Sequence, residues 1–523
     1  MIINSNTWAS MNDINAEVVI IGSGAAGTSL AHGLSEKKHS VIILEGGEDI
    51  YSEQSQECYS GSTTDRDLTF GLKGSRLRFF GGSTNCWAGG CGELEIEDYM
   101  HREWVSHSGW PIDSSELDLY YQKTSNFLDI PRDTFNAQKN KDIYKIQGFD
   151  SKSLVYTKKL RFKNVFSSLF KKEKNVRLFL EANLFSLNRE FESDRISSVT
   201  IKNFSGIKKR ITGKVFVLCC GAVENARVLL NSKNIKYGVL GNRHDNVGRF
   251  FCDHPIAPCA TLINESGIAE TSILDINRHR RTTKNVTVPY YKIPFKIQEK
   301  HKILNTAIYF QSQEDQLTSS ELSAFRIKTA LSGKSNVQIN ISDYLNILKD
   351  PINVAEAWYN RSNRSTRRTR IALRFQIEQE PNKNNRITLT SDKDSLGLNR
   401  INLAWSFSEL ERHSIDIAMY YTASVLHKNK LGSLMVDDFL LDNIKELPYD
   451  LRGGQHHSGT TRMSSSENSG VVDKDLLVYG VKNLHISGGS VFPTNSWVNP
   501  TFTIIALSFR LSDNLSSNVL KKI

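Results

Sequence analysis

Short, unbroken apolar runs that end on glycine or an acidic residue recur along this chain, and helical spacing follows them. Val18–Ile21 leads into Gly22-Ser23-Gly24-Ala25-Ala26-Gly27 and a helix-like segment, and a second apolar run, Val41–Leu44, stops at Glu45. The stretch from Val215 to Ser232 gives a further strand, then Gly221, then a helical pattern. Asn483–Ile486 is followed by Gly488-Gly489 and by Asn499-Pro500-Thr501, which opens an apolar helix reaching about Leu515. Proline is tolerated in a first turn because its missing N–H has no helical partner there. Between 284 and 407 the pattern changes. NVTVPYYKI, NTAIYFQ, RIALRFQIEQ, RITLT and INLAWSF alternate or are rich in β-branched and aromatic residues, which predicts an antiparallel sheet. Glu409–Gly432 reads as an amphipathic helix stopped by Gly432. Residues 312–370 are more polar and read as an insertion or a surface flap.

The first of these patterns carries chemistry. Strand, glycine turn, helix, second strand and acidic end form a βαβ unit with the dinucleotide fingerprint in its required context. Gly22 permits the tight turn, Gly24 lets a pyrophosphate approach the backbone, and Gly27 allows the helix to lie close on its strand. The helix N-terminus, with free N–H groups and a favourable dipole, would face the pyrophosphate. Glu45 stands where a carboxylate would accept ribose hydroxyls, and the fingerprint leaves FAD and NAD both open. A second glycine-dense loop, FGGSTNCWAGGCG at 80–92, predicts backbone lying flat against a ligand.

With 523 residues, length predicts two or more domains. The balance of 39% hydrophobic and 23% charged residues excludes disordered and fibrous classes. A net charge of +10 admits a nucleic-acid partner. The densest basic run, RSNRSTRRTR (Arg361–Arg370), carries no interleaved aromatics and sits in no nucleic-acid motif. It reads as solvated surface, with an anionic substrate or a membrane surface as alternatives, and no nucleic-acid partner is expected. The seven cysteines are odd in number and form no CxxC pair, which fits reduced thiols. The first twenty residues lack a signal-peptide pattern, and no apolar run is long enough to span a bilayer. A cytoplasmic protein without a transmembrane segment is expected, and no metal site.

Further stretches complete an ordered series: Gly81-Gly82-Ser83-Thr84 with Trp87, Ser108-Gly109-Trp110-Pro111, Gly221-Ala222, Asp253-His254-Pro255, QEPNKNNRITLT at 379–390, HHSGTTRM at 456–463, and NPTFT. In this order the chain resembles, over nearly its whole length, the glucose–methanol–choline (GMC) oxidoreductases. These are FAD-dependent alcohol and sugar oxidases and dehydrogenases, and the likeness is to a pyranose-oxidase-like, sugar-oxidising bacterial branch. The resemblance implies an α/β fold (α+β overall). A discontinuous Rossmann-like FAD-binding domain would be formed by residues 1–255 and 450–523, and a substrate domain with an antiparallel sheet by 256–449. It implies FAD bound by Gly22, Gly24, Ala25, Ala26, Gly27, Glu45, Gly46, Gly81, Gly82, Ser83, Asn85, Cys86, Trp87, Gly221, Gly489, Ser490, Pro500 and Thr501.

Oxidising an alcohol with a flavin moves a hydride to the flavin N5 while the hydroxyl proton leaves, a task for a neutral imidazole. In the resembling enzymes the base precedes a Gly-Thr step by a few residues. Counting back from Arg462-Met463 puts it at His456 rather than His457, and its partner, which holds the alkoxide oxygen, at Asn499. Neighbours on an extended strand point to opposite sides, so both histidines cannot face one pocket. His457 is expected to bond in the interior or touch FAD, His254 to be structural, and His485 has no assigned chemistry. Asn499 has a rival role as a helix N-cap. One departure matters: where relatives carry a histidine that in some bonds covalently to the flavin, this chain has Cys86. A histidyl link is excluded there, noncovalent FAD is expected with a cysteinyl link at Cys86 as the alternative, and a dehydrogenase is favoured over an oxidase. The expected substrate is an alcohol or sugar, with the electron acceptor (oxygen, a quinone or a protein) left open. The alternatives are an FAD-retaining lyase that cleaves cyanohydrins and a non-catalytic FAD-binding protein.

Overall fold

A computed structural model describes residues 1–135, 144–190, 193–233, 238–263, 286–312, 339–352, 371–440 and 451–522, with a few isolated positions between them. The basic run 361–370 and most of the expected insertion at 312–370 lie outside the described residues.

The apolar run read as Val18–Ile21 is the buried half of a longer strand, Ile14–Ile21, whose last four side chains are essentially sealed from solvent. Such runs suit a sheet covered on both faces. Ile14–Ile21 lies between Val41–Leu44 and Lys208–Leu218 and runs parallel to both. Val176–Phe179 and then Ile2–Ile3 extend the sheet beyond Val41–Leu44 in the same sense. On the other side, the N-terminal half of Lys208–Leu218 pairs antiparallel with Ile196–Lys202, and its C-terminal end runs parallel to Leu484–Ile486. Ile196–Lys202 in turn pairs antiparallel with Asn183–Arg189, which closes that edge. The register aligns four carboxyl ends: Ile21 lies opposite Leu44 and Leu218, and Leu218 opposite Ile486. Each is followed by the residues that the sequence singled out, and ligands of open α/β sheets bind at such an edge. The helix Ala25–Glu36 packs on this sheet, and the closing helix Thr501–Asn514 packs on that helix and on Ser114–Leu128.

The middle of the chain supplies an antiparallel sheet in the order Ser433–Val436, Pro255–Ile263, Ile371–Ile377, Thr306–Ser312, Val286–Lys292, Asp150–Tyr156, Gly90–Cys91. Its alternating side chains serve two partners. Leu373, Phe375 and Ile377 form one core with Ile415, Ala418 and Leu426 of the helix Glu409–Lys428. On the opposite face Tyr290 and Tyr309 join the core of the parallel sheet, and the Tyr290 ring lies 5.4 Å from that of Trp497.

Three expectations change. Arg386–Lys393 and Asn399–Trp405 do not join the large antiparallel sheet. They form a hairpin that pairs in parallel with Ser62–Asp65. Their β-rich pattern was legible, but a distant partner strand is not written in local periodicity. Strand pairing also cuts across the expected division at 255, because Gly90–Cys91 and Asp150–Tyr156 belong to the middle sheet. The helix from Glu409 ends at Lys428 rather than running to Gly432: the N–H groups of Lys430 and Leu431 turn back to His427 and Leu426, and Lys430 takes the left-handed position.

A buried ion pair joins the two halves. The Arg102 guanidinium meets Glu378, at the end of the strand Ile371–Ile377, through two 2.6 Å bonds, and both side chains are sealed. Removing one partner strands a buried charge at a cost of about 3–5 kcal/mol, whereas replacing both with apolar residues is close to neutral. Arg102→Met is therefore expected to lower the thermal unfolding midpoint markedly, and the double variant Arg102→Met/Glu378→Leu to recover most of that loss.

Candidate active site

The segment that carries both histidines is irregular rather than a continuous strand, and it is stitched along both edges. On one side Cys252 and Ser458 exchange backbone bonds of 3.1 and 2.9 Å, and the Gly248 N–H donates to the Thr460 carbonyl at 2.8 Å. On the other, the N–H groups of Gly459, Thr461 and Met463 donate to the carbonyls of Gly489, Ser490 and Val491. This suspends the histidines between the 250s and the chain that follows the strand Leu484–Ile486.

Asp253 fixes the local turn. Its Oδ1 accepts the backbone N–H groups of His254 and His456, both at 2.7 Å, and its Oδ2 accepts that of Gln455 at 3.0 Å. Gln455 is left-handed, with φ of +63°, a conformation that costs a non-glycine residue ~1–2 kcal/mol. Two residues earlier the chain requires glycine, because a Cβ on Gly453 would lie 2.2 Å from Asp253 Oδ2. Burial pushes the Asp253 carboxyl up to about 7, opposed by the backbone N–H groups of His456, His254 and Gln455.

His456 lines a cavity, and its Nδ1 lies 2.7 Å from Nδ1 of His254. The Nε2 of His254 lies 3.0 Å from the Asn495 carbonyl. Among the described residues His456 Nε2 has no protein hydrogen bond. Burial lowers the pKa of His456 well below 6.5, with His254 and His457 acting in the same direction, and burial lowers His254 to about 4. Both rings are neutral at neutral pH. His457 points elsewhere. Its ring lies 5.4 Å from that of Phe251, and its sealed Nε2 lies 3.8 Å from Asp253 Oδ2 without a hydrogen-bond partner. Burial lowers its pKa to about 3.

Asn499 closes the other wall. Its Nδ2 donates to the Gly90 carbonyl at 3.1 Å, and its Oδ1 accepts from Gln376 Nε2 at 3.1 Å. Gln376 Nε2 also donates to the Trp497 carbonyl at 2.5 Å. A Cβ on Gly90 would come within 2.9 Å of Asn499 Nδ2, so the glycine-dense loop makes room for this side chain. The rival reading of Asn499 as an N-cap has no bond behind it: the cap residue of Thr501–Asn514 is Pro500, and no side chain caps that helix.

From His456 and Asn499 the cavity, of about 950 Å³, runs across the aligned carboxyl ends to Glu45 and on to Asn188 and Leu240. That volume lies at the upper end of the range for small-molecule and cofactor sites. Residues 381–508 match the family model described as GMC oxidoreductase, and residues 17–63 match an FAD-binding domain. Over its C-terminal quarter the chain is thus similar to the GMC oxidoreductases. A C-glycoside 3-oxidase of Microbacterium trichothecenolyticum is 28% identical over 130 residues, 25% of this chain and 24% of that protein. A 2-methyl-1,2-propanediol dehydrogenase of Mycolicibacterium austroafricanum is 33% identical over 143 residues, 27% of this chain and 24% of that protein. The chain thus spans about a quarter of the length of these curated relatives. In overall fold it is similar to the crystal structure of pyridoxine 4-oxidase from Mesorbium loti, with a TM-score of 0.57, 14% identity, and coverage of 96% of this chain and 99% of that one.

The FAD-binding match at the N-terminal βαβ unit makes the cofactor FAD, and the residues present suit it. Gly24 is the telling position. A Cβ there would meet nothing within 4 Å, so no protein contact demands glycine, and the open space is the cavity itself. Gly22, Ala25, Ala26, Glu45, Gly46, Gly82, Ser83, Cys86, Trp87, Gly221, Gly489, Pro500 and Thr501 also line the cavity. The other expected residues lie behind its wall. A Cβ on Gly27 would sit 1.9 Å from the Gly22 carbonyl, so its role is helix-on-strand packing. The Gly81 N–H donates to Ser23 Oγ at 3.0 Å, Asn85 ties its own loop through Phe80 and Gly82, and Ser490 Oγ accepts from Asn225. Glu45 is already engaged, accepting from Ser23 Oγ at 2.6 Å and from the Gly47 N–H at 2.9 Å. A carboxylate has about four acceptor sites, which leaves room for a ribose hydroxyl.

Sequence reasoning missed Asp253 and Gln376, and it read His254 as structural. The Asp-His-Pro motif was visible as a motif, but nothing in its spacing says that it faces a residue two hundred positions away. Gln376 gave no signal beyond being a polar residue in an apolar strand. Gly24→Val is expected to leave the unfolding midpoint of the flavin-free protein unchanged while the 450 nm flavin absorbance of the purified protein falls several-fold.

Proposed function

We propose that the protein oxidises an alcohol group, on a sugar or sugar derivative, with His456 as general base and Asn499 as the donor that steadies the substrate oxygen. What supports this reading most is that His456 Nε2, without a protein partner among the described residues, and the Asn499 amide border one cavity together with Pro500 and Thr501. Bound FAD supplies the two-electron acceptor for the hydride that leaves the alcohol carbon. His456 Nε2 takes the hydroxyl proton, and the Asn499 Nδ2 hydrogen not used by Gly90 meets the oxygen as its negative charge grows. The backbone bonds of Asp253 hold His456 in place while this happens.

The sugar reading rests on relatives named for sugar substrates, a C-glycoside 3-oxidase and a glucose oxidase of Aspergillus carbonarius. Cys86 on the cavity wall in place of histidine supports noncovalent FAD, and with it a dehydrogenase, so turnover in air should release little hydrogen peroxide. Denaturation should release the flavin into solution. Among the described residues no helix is long and apolar enough to cross a membrane. The seven unpaired cysteines support a cytoplasmic location.

The experiment is anaerobic stopped-flow reduction of the flavin. His456→Ala should keep FAD and slow reduction by about a hundredfold or more, the usual loss of a general base. If His457→Ala were the slow variant instead, the assignment would be wrong. An imidazolium cannot accept the proton, so acid removes activity. Because burial and two neighbouring histidines lower the His456 pKa, loss of its base form should set in only below pH 6.5, and a change nearer pH 7 would belong to the Asp253 carboxyl.

A further inference from the structure

We propose that His254 and Gln376 are positioning residues that fix the proton polarity of the site, so that His456 presents an accepting Nε2 and Asn499 a donating Nδ2 toward the cavity.

The inference follows from three backbone carbonyls, which can only accept. The Asn495 carbonyl lies 3.0 Å from His254 Nε2, so that nitrogen carries a hydrogen. A neutral His254 then has a bare Nδ1, and the 2.7 Å contact with His456 Nδ1 is a hydrogen bond only if His456 donates. With its proton on Nδ1, neutral His456 keeps its lone pair on Nε2, the atom free of protein partners. The Trp497 carbonyl likewise accepts from Gln376, which identifies the atom there as Nε2. Gln376 Nε2 is also within 3.1 Å of Asn499, so Asn499 must offer Oδ1 to it, and Nδ2 turns to the Gly90 carbonyl and the cavity. Asn495, Trp497 and Asn499 alternate along one short loop ahead of the closing helix, so that loop dictates both relays.

The surroundings allow the neutral pair. Asp253 spends Oδ1 on the backbone of both histidines, and His457, packed on Phe251, further disfavours a charge on His456. Glu378, the charged group acting on His254, is held by Arg102. Burial keeps His254 and His456 uncharged at neutral pH. The resulting polarity selects a ligand group that both donates and accepts. A hydroxyl does so; a carbonyl or a carboxylate does not. This consequence rests on the alcohol-oxidation reading, while the polarity itself does not.

The test is an NMR measurement on holoenzyme labelled with 15N-histidine at neutral pH, with the His456 signals identified by their loss in His456→Ala. The expected spectrum has His456 Nδ1 protonated and Nε2 bare. A wild-type His456 carrying its proton on Nε2 overturns the proposal. His254→Phe removes the acceptor and should let the proton redistribute between the two nitrogens. It should also slow flavin reduction about tenfold or more, with little change in KM. His254→Gln, which can donate to Asn495 and accept from His456, should restore the tautomer and most of the rate, an outcome that a purely structural role would not produce. Gln376→Met should slow reduction by a similar factor. An unchanged tautomer and rate in His254→Phe would also overturn the proposal. If no alcohol reduced the wild-type flavin, the alcohol-oxidation reading would fail on its own, and the wild-type spectrum would still decide the polarity.

Discussion

The Asp253 carboxylate, sealed between the two sheets and accepting three backbone N–H groups, is the constraint on which the site depends. Charge-assisted bonds of this kind contribute about 1.5–3 kcal/mol each, enough to hold Gln455 in a left-handed conformation that it would otherwise avoid. That turn parts the two rings where they line the cavity, His456 toward His254 and His457 toward Phe251. Asp253 stands just before Pro255, where the antiparallel sheet begins, and the strand Arg452–Gly453 pairs with the start of that sheet. The geometry of His456 is therefore fixed by the junction of the two halves. The neighbouring Arg102–Glu378 pair reinforces the same junction.

Much of the cofactor half was legible because its signals are local. Four apolar residues before a glycine turn, helical spacing and an acidic stop specify a βαβ unit within one window, and the structure aligns those strand ends as expected. The glycines are informative for different reasons. Gly27 is required by the protein's own packing, whereas Gly24 is explained only by what occupies the cavity. The extents and partners of elements were less legible. The hairpin at 386–405 reads as β-structure, yet its pairing with Ser62–Asp65 closes a loop of more than three hundred residues that no local pattern encodes. The register of Gly90–Cys91 in the middle sheet is hidden in the same way.

The site divides along the same line. His456 and Asn499 stand out in the sequence because each lies in a motif, and the structure places both on the wall of one cavity. The residues proposed to orient them do not stand out, because that role is a matter of hydrogen-bond direction. His254, Gln376 and the carbonyls of Asn495, Trp497 and Gly90 are meaningful only once donors and acceptors are traced through space. A buried network of this kind has few consistent proton arrangements, since every unsatisfied member is costly.

That arrangement favours a hydroxyl beside a flavin. An anaerobic absorption spectrum of the purified protein, titrated with sugars, sugar derivatives and simple alcohols, tests this most directly. Bleaching of the oxidised-flavin bands by one of these compounds is the predicted result. A compound converted to product while those bands stay oxidised throughout would contradict it.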